Sequence, residues 1–356
     1  MPRWNGYGLP APSAPRSGRR RRRAFRPECG HYLSEHRRYC SGLSGRRTGL
    51  KDLDVDLVAF FYTDVIPVGL WIVMLGLGLA LTPRDIKNIF IMPKAVSVGL
   101  AGQLVLLPIL AFGLCVAFAP TPAIAIGALV LAACPGGVTS NAYSFASRGD
   151  VALSVTLTAV TSFITIFTVP LITFLALDYF LEAGTAIDLP VGQLMWMLAK
   201  LTVVPVAIGM FIRSRLQDKA EKFIEVLRTV TFVFLLILIV SGSLLALDEL
   251  RQHFLQIASV VLSLNVLAMT MGFVLGWIFR LPVTQRISIT YEVGVQNISL
   301  ASLVMLTVLQ NQDYFIVAVV YAAVMKLTAM GFMYFARQWL VRTEQLAAQQ
   351  ADTAPA

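Results

Sequence analysis

Residues 95–147 carry no charged side chain. A bilayer-spanning helix takes about 20 apolar residues, so this one run has room for two crossings. Near its end stands Cys134-Pro135-Gly136-Gly137-Val138-Thr139-Ser140-Asn141, which joins helix breakers to uncharged oxygen donors. A membrane helix can hide such breakers only where the freed backbone groups face protein, a cavity or a ligand. A later apolar segment holds a counterpart, Glu292-Val293-Gly294-Val295-Gln296-Asn297. Two interruptions in matching halves of a chain point to a transporter-type binding site at the membrane midplane.

The rest of the composition agrees: 57% of the 356 residues are apolar and 14% are charged. Nine apolar spans are expected, at 57–81, 95–118, 122–147, 151–177, 190–212, 229–247, 254–279, 287–309 and 314–336. None alternates as the strands of a membrane barrel would. The expected fold is therefore an all-α integral membrane protein of about nine transmembrane helices. One membrane domain covers 56–340, between a basic, disordered tail at 1–55 and a C-terminal tail at 341–356.

The net charge of +9 belongs to the first tail. Residues 1–50 hold twelve arginines against Glu28 and Glu35, while the remainder carries 17 basic and 18 acidic side chains. A nucleic-acid arm or a lipid anchor has this composition. So does a tail, or an upstream stretch outside the mature protein, with no part in function, and that is the reading preferred; no nucleic-acid partner is expected. No apolar stretch follows the arginines, so a signal peptide is not expected. Four cysteines form no disulfide framework, and Cys29, His31, His36 and Cys40 match no standard zinc spacing.

Loop charge gives an orientation. Arg84, Lys87, Lys94, Arg148, Arg213, Arg215, Lys219, Lys222, Arg228, Arg280, Arg286, Arg337 and Arg342 all follow odd-numbered spans. The loops after even spans are neutral or acidic, apart from Arg251. Odd loops and the C-terminus are thus expected in the cytoplasm, in what reads as a bacterial inner membrane. Nine spans then leave the arginine-rich tail outside, against the same rule, which favours its being no part of the mature protein.

Chemistry concentrates in a few side chains. Glu292 is the one acid well inside an apolar span, where a carboxylate costs several kcal/mol unless paired or hydrated. Gly294, Gln296 and Asn297 follow it at once. Hard oxygens around one carboxylate suit a small hard cation. The bland alternative is a helix-gluing residue paired with lysine. Ser140 and Asn141 lie just after the first break, and Ser154 and Thr158 share one helix face at i and i+4, with Thr156, Thr161 and Ser162 nearby. A single hydroxyl in such a helix usually bonds its own i−4 carbonyl; two on one face beside a broken helix favour ion ligation. Lys326 interrupts the ninth span and needs a partner or a cavity, either Glu292 or a substrate carboxylate. Lys200, with no polar cluster near it in sequence, reads as structural.

Ala133-Cys134-Pro135-Gly136-Gly137, Ser140-Asn141, Arg148-Gly149-Asp150-Val151-Ala152-Leu153-Ser154 and Glu292-Val293-Gly294-Val295-Gln296-Asn297 together resemble the bile acid:sodium symporter family, over about residues 57–340. The resemblance implies an inverted repeat, panel and core domains, and two crossing discontinuous helices. It implies two Na+ sites. One would fall on Ser140, Asn141, Ser154, Thr158 and Glu292; the other on Gln103, Glu292, Val293, Val295 and Gln296, with the valines acting through carbonyls. Some features depart from the family. Bacterial members with ten helices have a first helix for which residues 1–50 offer no apolar run. Val138-Thr139-Ser140-Asn141 stands where many have Thr-Ala-Ser-Asn, and Lys326 stands where a neutral residue or His is expected.

The expected function is sodium-coupled symport of a small organic anion, bound near Thr139, Asn297 and Lys326. Two alternatives stay open: a proton-coupled or antiport exchanger using Glu292 and Lys326, and a receptor that binds without transporting. A membrane hydrolase is disfavoured, since His253 is the one histidine beyond the tail and no nucleophile–base pair or zinc motif lies in a span.

Overall fold

The computed structural model describes residues 65–81, 83–118, 121–181, 191–215 and 247–352, with four isolated positions between 226 and 233. The basic tail and most of the expected span 229–247 lie outside the described residues.

Every described element but one isolated bridge is helical. We number them α1 (Ile66–Ala80), α2 (Pro83–Ile91), α3 (Pro93–Phe118), α4 (Pro122–Ala133), α5 (Val138–Ala146) and α6 (Val151–Phe180). There follow α7 (Val191–Arg215), α8 (Leu247–Ile278), α9 (Val283–Gly294), α10 (Ile298–Val308) and α11 (Gln312–Asp352). Long apolar segments in α3, α6, α7, α8 and α11 each suffice to cross a bilayer, and α1, α4 and α10 are shorter apolar helices. The protein is an integral, multi-pass membrane protein.

Local chemistry explains the boundaries. Thr121 caps α4 by accepting from the Ile124 amide, with Pro122 in the first turn, where its missing N–H costs nothing. Asp150 caps α6 through the Leu153 amide at 3.0 Å. Two boundaries differ from the sequence expectation. Residues 83–91, expected as a charged loop, form α2, an amphipathic helix opened by Pro83. The α8 helix starts at Leu247, so 248–253, expected as a loop, are helical.

The helices form two sets. One is the pair α1 and α7, which cross where both chains have glycine. A methyl on Gly78 would strike the Val206 carbonyl, and one on Gly209 the Leu75 carbonyl; small residues let membrane helices approach this closely. Arg213 Nη1 donates to the Leu79 carbonyl at 2.9 Å. The other set reads helix, broken helix, helix twice: α3, α4–α5, α6 and then α8, α9–α10, α11. Buried throughout from Ile124 to Ala133, α4 packs among α3, α6 and α11.

The two breaks cross. Gly136 and Gln296 pair as an antiparallel bridge. The Gly137 amide donates to the Val295 carbonyl at 2.7 Å and the Asn297 amide to the Pro135 carbonyl at 3.0 Å. Each interruption thus satisfies the other's freed backbone groups, as a low-dielectric interior requires. Antiparallel pairing also means that α4–α5 and α9–α10 run in opposite directions.

Candidate functional site

Glu292 lies in the last turn of α9, at the crossing, and is wholly buried. Its carboxylate accepts from Ser140 Oγ on α5 (2.9 Å) and from Thr158 Oγ1 on α6 (3.0 and 2.9 Å to the two oxygens). Gly136 is required opposite: a β-carbon there would overlap Glu292 Oε1. All of these donors are neutral hydroxyls, and Lys326 is not among them. Of the two partners offered for Lys326, Glu292 is therefore not in contact with it here, and a substrate carboxylate stays open.

Around this carboxylate the hydroxyls interlock. Asn141 Oδ1 accepts from Ser154 Oγ at 2.7 Å and from Thr158 Oγ1 at 3.4 Å, and Ser144 Oγ donates to Ser154 Oγ at 3.2 Å. The shared face of Ser154 and Thr158 is what brings both to one point. Thr156 and Thr161 bond their own i−4 carbonyls, of Ala152 and Leu157, the ordinary fate of a hydroxyl in a membrane helix. Thr158 has that contact too, to the Ser154 carbonyl at 3.1 Å, but also reaches Glu292.

A second polar group sits one step along the crossing. Gln103, buried in a π-helical turn of α3 (Gly102–Leu106), donates from Nε2 to the Cys134 carbonyl (2.8 Å) and to Gln296 Oε1 (2.9 Å). Gln296 Nε2 donates to the Val293 carbonyl at 2.6 Å. Single π-helical turns inside α-helices occur frequently at functional sites, and here the turn directs Gln103 at the gap below α4. The structure thus gathers Ser140, Asn141, Ser154, Thr158 and Glu292 into one cluster. Gln103, Val293, Val295 and Gln296 form another, contiguous through residues 292–296.

The three residues expected at a substrate are less tightly grouped. Thr139 is exposed on the face of α5 that also carries Ala142 and Phe145. Asn297 is buried and spends its Oδ1 capping α10 at the Leu300 amide, 3.1 Å away. Lys326 is half-buried on α11. It precedes Arg337 by three turns on the same helix face, and Arg337 Nε donates to the Ala146 carbonyl at the end of α5. That register puts Lys326 on the α5 side of α11. Lys200 is exposed, its Nζ 5.0 Å from the Trp196 ring centroid, a cation–π contact.

Sequence reasoning missed one polar group. Asn265 on α8 and Tyr321 on α11 meet the Gly294 carbonyl at the end of α9, and Thr328 on α11 donates to Asn265 Oδ1. A lone asparagine within the apolar run Ser259–Met271 was the available signal.

Helices broken at a mutual crossing, with a buried carboxylate ringed by neutral oxygens, define a membrane transporter rather than an enzyme. The Sodium Bile acid symporter family matches this chain over residues 67–250, and the chain belongs to that family. An uncharacterized sodium-dependent transporter of Bacillus subtilis is 28% identical over 243 residues, 67% of this chain and 73% of that protein. The ileal sodium/bile acid cotransporter of Homo sapiens is 27% identical over 248 residues, 69% of this chain and 70% of that protein. A probable chloroplastic sodium/metabolite cotransporter of Oryza sativa subsp. japonica is 26% identical over 247 residues, 69% of this chain but only 58% of that protein.

Proposed function

We propose that this protein couples entry of sodium to symport of a small organic anion by alternating access. The observation that carries the reading is the setting of Glu292: a wholly buried carboxylate whose hydrogen bonds, among the described residues, come from Ser140 and Thr158. A buried charge without a partner is costly, and the surrounding oxygens of Ser154 and Asn141 are hard, neutral ligands for a small cation. In this reading a first sodium ion binds among Ser140, Asn141, Ser154, Thr158 and Glu292. A second binds among Glu292, the amide oxygens of Gln103 and Gln296, and the carbonyls of Val293 and Val295.

Sodium at these places bridges α5, α6 and α9 in one case, and α3 with the α9–α10 break in the other. It thereby neutralises Glu292 and fixes the crossing. The substrate anion then meets Thr139 and Lys326 beside the start of α5, where the positive end of a half-helix favours negative charge, with Asn297 at the start of α10. The names of the relatives, bile acid and metabolite cotransporters among them, support an organic anion without choosing one. Lys326 supplies a full positive charge, which favours carboxylates over neutral ligands. Loop charge supports a cytoplasmic C-terminus.

An exchanger built on a Glu292–Lys326 pair is less well supported, because the carboxylate's partners are hydroxyls. The deciding experiment is thermal stabilisation of the purified protein by sodium chloride against potassium chloride at constant ionic strength, followed by anion uptake into proteoliposomes. Stabilisation specific to sodium and absent in Glu292→Gln is expected. Equal response to both salts, with uptake driven by a proton gradient, would overturn the reading in favour of proton coupling. Sodium binding with no uptake of any anion tested would favour a receptor.

A further inference from the structure

The end of α9 is held by side chains outside both proposed ion sites. Gly294 closes α9, and the break leaves its carbonyl without a helical N–H partner. That carbonyl accepts from Asn265 Nδ2 on α8 at 2.8 Å and from the Tyr321 hydroxyl on α11 at 2.9 Å. Asn265 is wholly buried. Its own orientation is set by Thr328, whose Oγ1 donates to Asn265 Oδ1 in the closest of that hydroxyl's contacts.

The other half of the crossing has the same device. Cys134 ends the α4 segment, and its carbonyl accepts from Gln103 Nε2, again at 2.8 Å. In each half, a side-chain amide from the helix just before the broken one covers the carbonyl at the break: α3 for α4, α8 for α9. The two amides differ in their second contact. Gln103 reaches inward to Gln296 across the crossing, whereas Asn265 reaches outward to Thr328 on α11.

We infer that Asn265, oriented by Thr328, is a positioning residue for ion coupling, the counterpart of Gln103 in the second half. This inference rests on the sodium reading above. Gly294 lies between Val293 and Val295 and two residues after Glu292, so the direction of its carbonyl fixes the peptide planes on either side. Held by Asn265 and Tyr321, it leaves the Val293 and Val295 carbonyls turned toward Gln296 and Gly137, their partners in the structure. Released, it competes for the same donors and for the cation. Because Thr328 and Tyr321 stand on the helix that carries Lys326, the clamp also ties the ion-bearing break to the anion-facing helix.

The test measures the sodium midpoint for thermal stabilisation of the full chain, with potassium as the control salt. Thr328→Val removes the orienting hydroxyl at nearly constant size, Thr328→Ser restores it, and Asn265→Leu and Tyr321→Phe each remove one donor to the carbonyl. A single hydrogen bond shifts an equilibrium by about five-fold, so midpoints about five-fold higher are expected for Thr328→Val and Tyr321→Phe. Thr328→Ser should return to the wild-type midpoint, and Asn265→Leu, which loses both the bond to Gly294 and the one from Thr328, should exceed the shift of Tyr321→Phe. Variants that melt earlier in potassium but keep the wild-type sodium midpoint would reduce the clamp to a structural contact and overturn the inference. If Asn265→Leu does not fold, Thr328→Val against Thr328→Ser decides. A wild-type protein indifferent to sodium would instead overturn the symport reading itself, and this inference with it.

Discussion

The two breaks at the crossing share a bridge but are made differently. The first is interrupted by Pro135, Gly136 and Gly137, residues that stop a helix by their own backbone chemistry. The second passes through Val295, Gln296 and Asn297, none of which breaks a helix unaided. There the interruption is held from outside by Asn265 and Tyr321 on the Gly294 carbonyl, and from within only by Asn297, which restarts the helix as an N-cap. The difference follows from contents. Glu292 occupies the space opposite Gly136, so the first break must lack side chains where the second provides them. One half supplies room and hydroxyls, the other the charge.

The sharpest way to break that comparison is to remove the charge. Glu292→Gln keeps the shape and one of the two acceptor oxygens, the other becoming an NH2 donor, and leaves the cluster neutral. Sodium-specific stabilisation and sodium-driven uptake should fall to background, while the protein still folds, since a neutral amide in this site is cheaper to bury than an unpaired carboxylate. Retention of sodium-driven uptake would mean that the second half does not supply the charge.

The next largest effect belongs to the room. Gly136→Ala forces a methyl against Glu292 Oε1, and the carboxylate cannot retreat without losing Ser140 or Thr158. Overpacking of this kind costs about 1–3 kcal/mol, so a lowered melting temperature together with loss of sodium response is expected. Gly99→Ala is the control. There the nearest atoms to the added methyl belong to the Leu157 side chain and not to the carboxylate, so packing is disturbed while sodium binding should persist. Equal damage from both would show that packing, not the carboxylate, makes Gly136 necessary.

How the two breaks are made also explains what the sequence could reveal. Pro135-Gly136-Gly137 is legible anywhere, because its effect is local. The register of Ser154 and Thr158 was readable for the same reason, since helical periodicity alone puts them on one face. The α2 helix was not: its Pro83 start and its charges read as a loop, and the faces it covers are set by neighbours. Nor was the clamp on Gly294. Asn265 and Gly294 are far in the chain from each other and from Tyr321 and Thr328, and the four meet only after α8, α9 and α11 pack. Whether Lys326 meets Glu292 was not legible on the same ground: two charges in neighbouring spans gave no information on which face each one used.

Smaller effects separate the ion sites from the anion site. Lys326→Ala should raise the half-saturating concentration of a carboxylate substrate about ten-fold, the order of a lost charge-assisted hydrogen bond. The sodium midpoint should not move. A sodium midpoint that falls in Lys326→Ala would place the lysine's charge in competition with the ion and join the two sites electrostatically.

The smallest expected change tests whether the hydroxyls of the first half act as a network or as separate ligands. Ser154 Oγ donates to Asn141 Oδ1 and receives from Ser144, without touching Glu292 in this arrangement. Ser154→Ala therefore removes two neutral hydrogen bonds, to Asn141 and from Ser144, and one ligand oxygen while leaving both hydroxyl contacts to the carboxylate intact. A loss near 1 kcal/mol corresponds to a sodium midpoint about five-fold higher. Thr158→Val removes direct contacts to the charge as well, and bonds to charged groups are worth about 1.5–3 kcal/mol, so its shift should be larger. If the Ser154→Ala and Thr158→Val effects add in the double variant, the two hydroxyls act independently on the ion. If the double variant is no worse than Thr158→Val alone, Ser154 works through Asn141 and Thr158, and the first half orders its ligands as one unit around the charge that the second half brings.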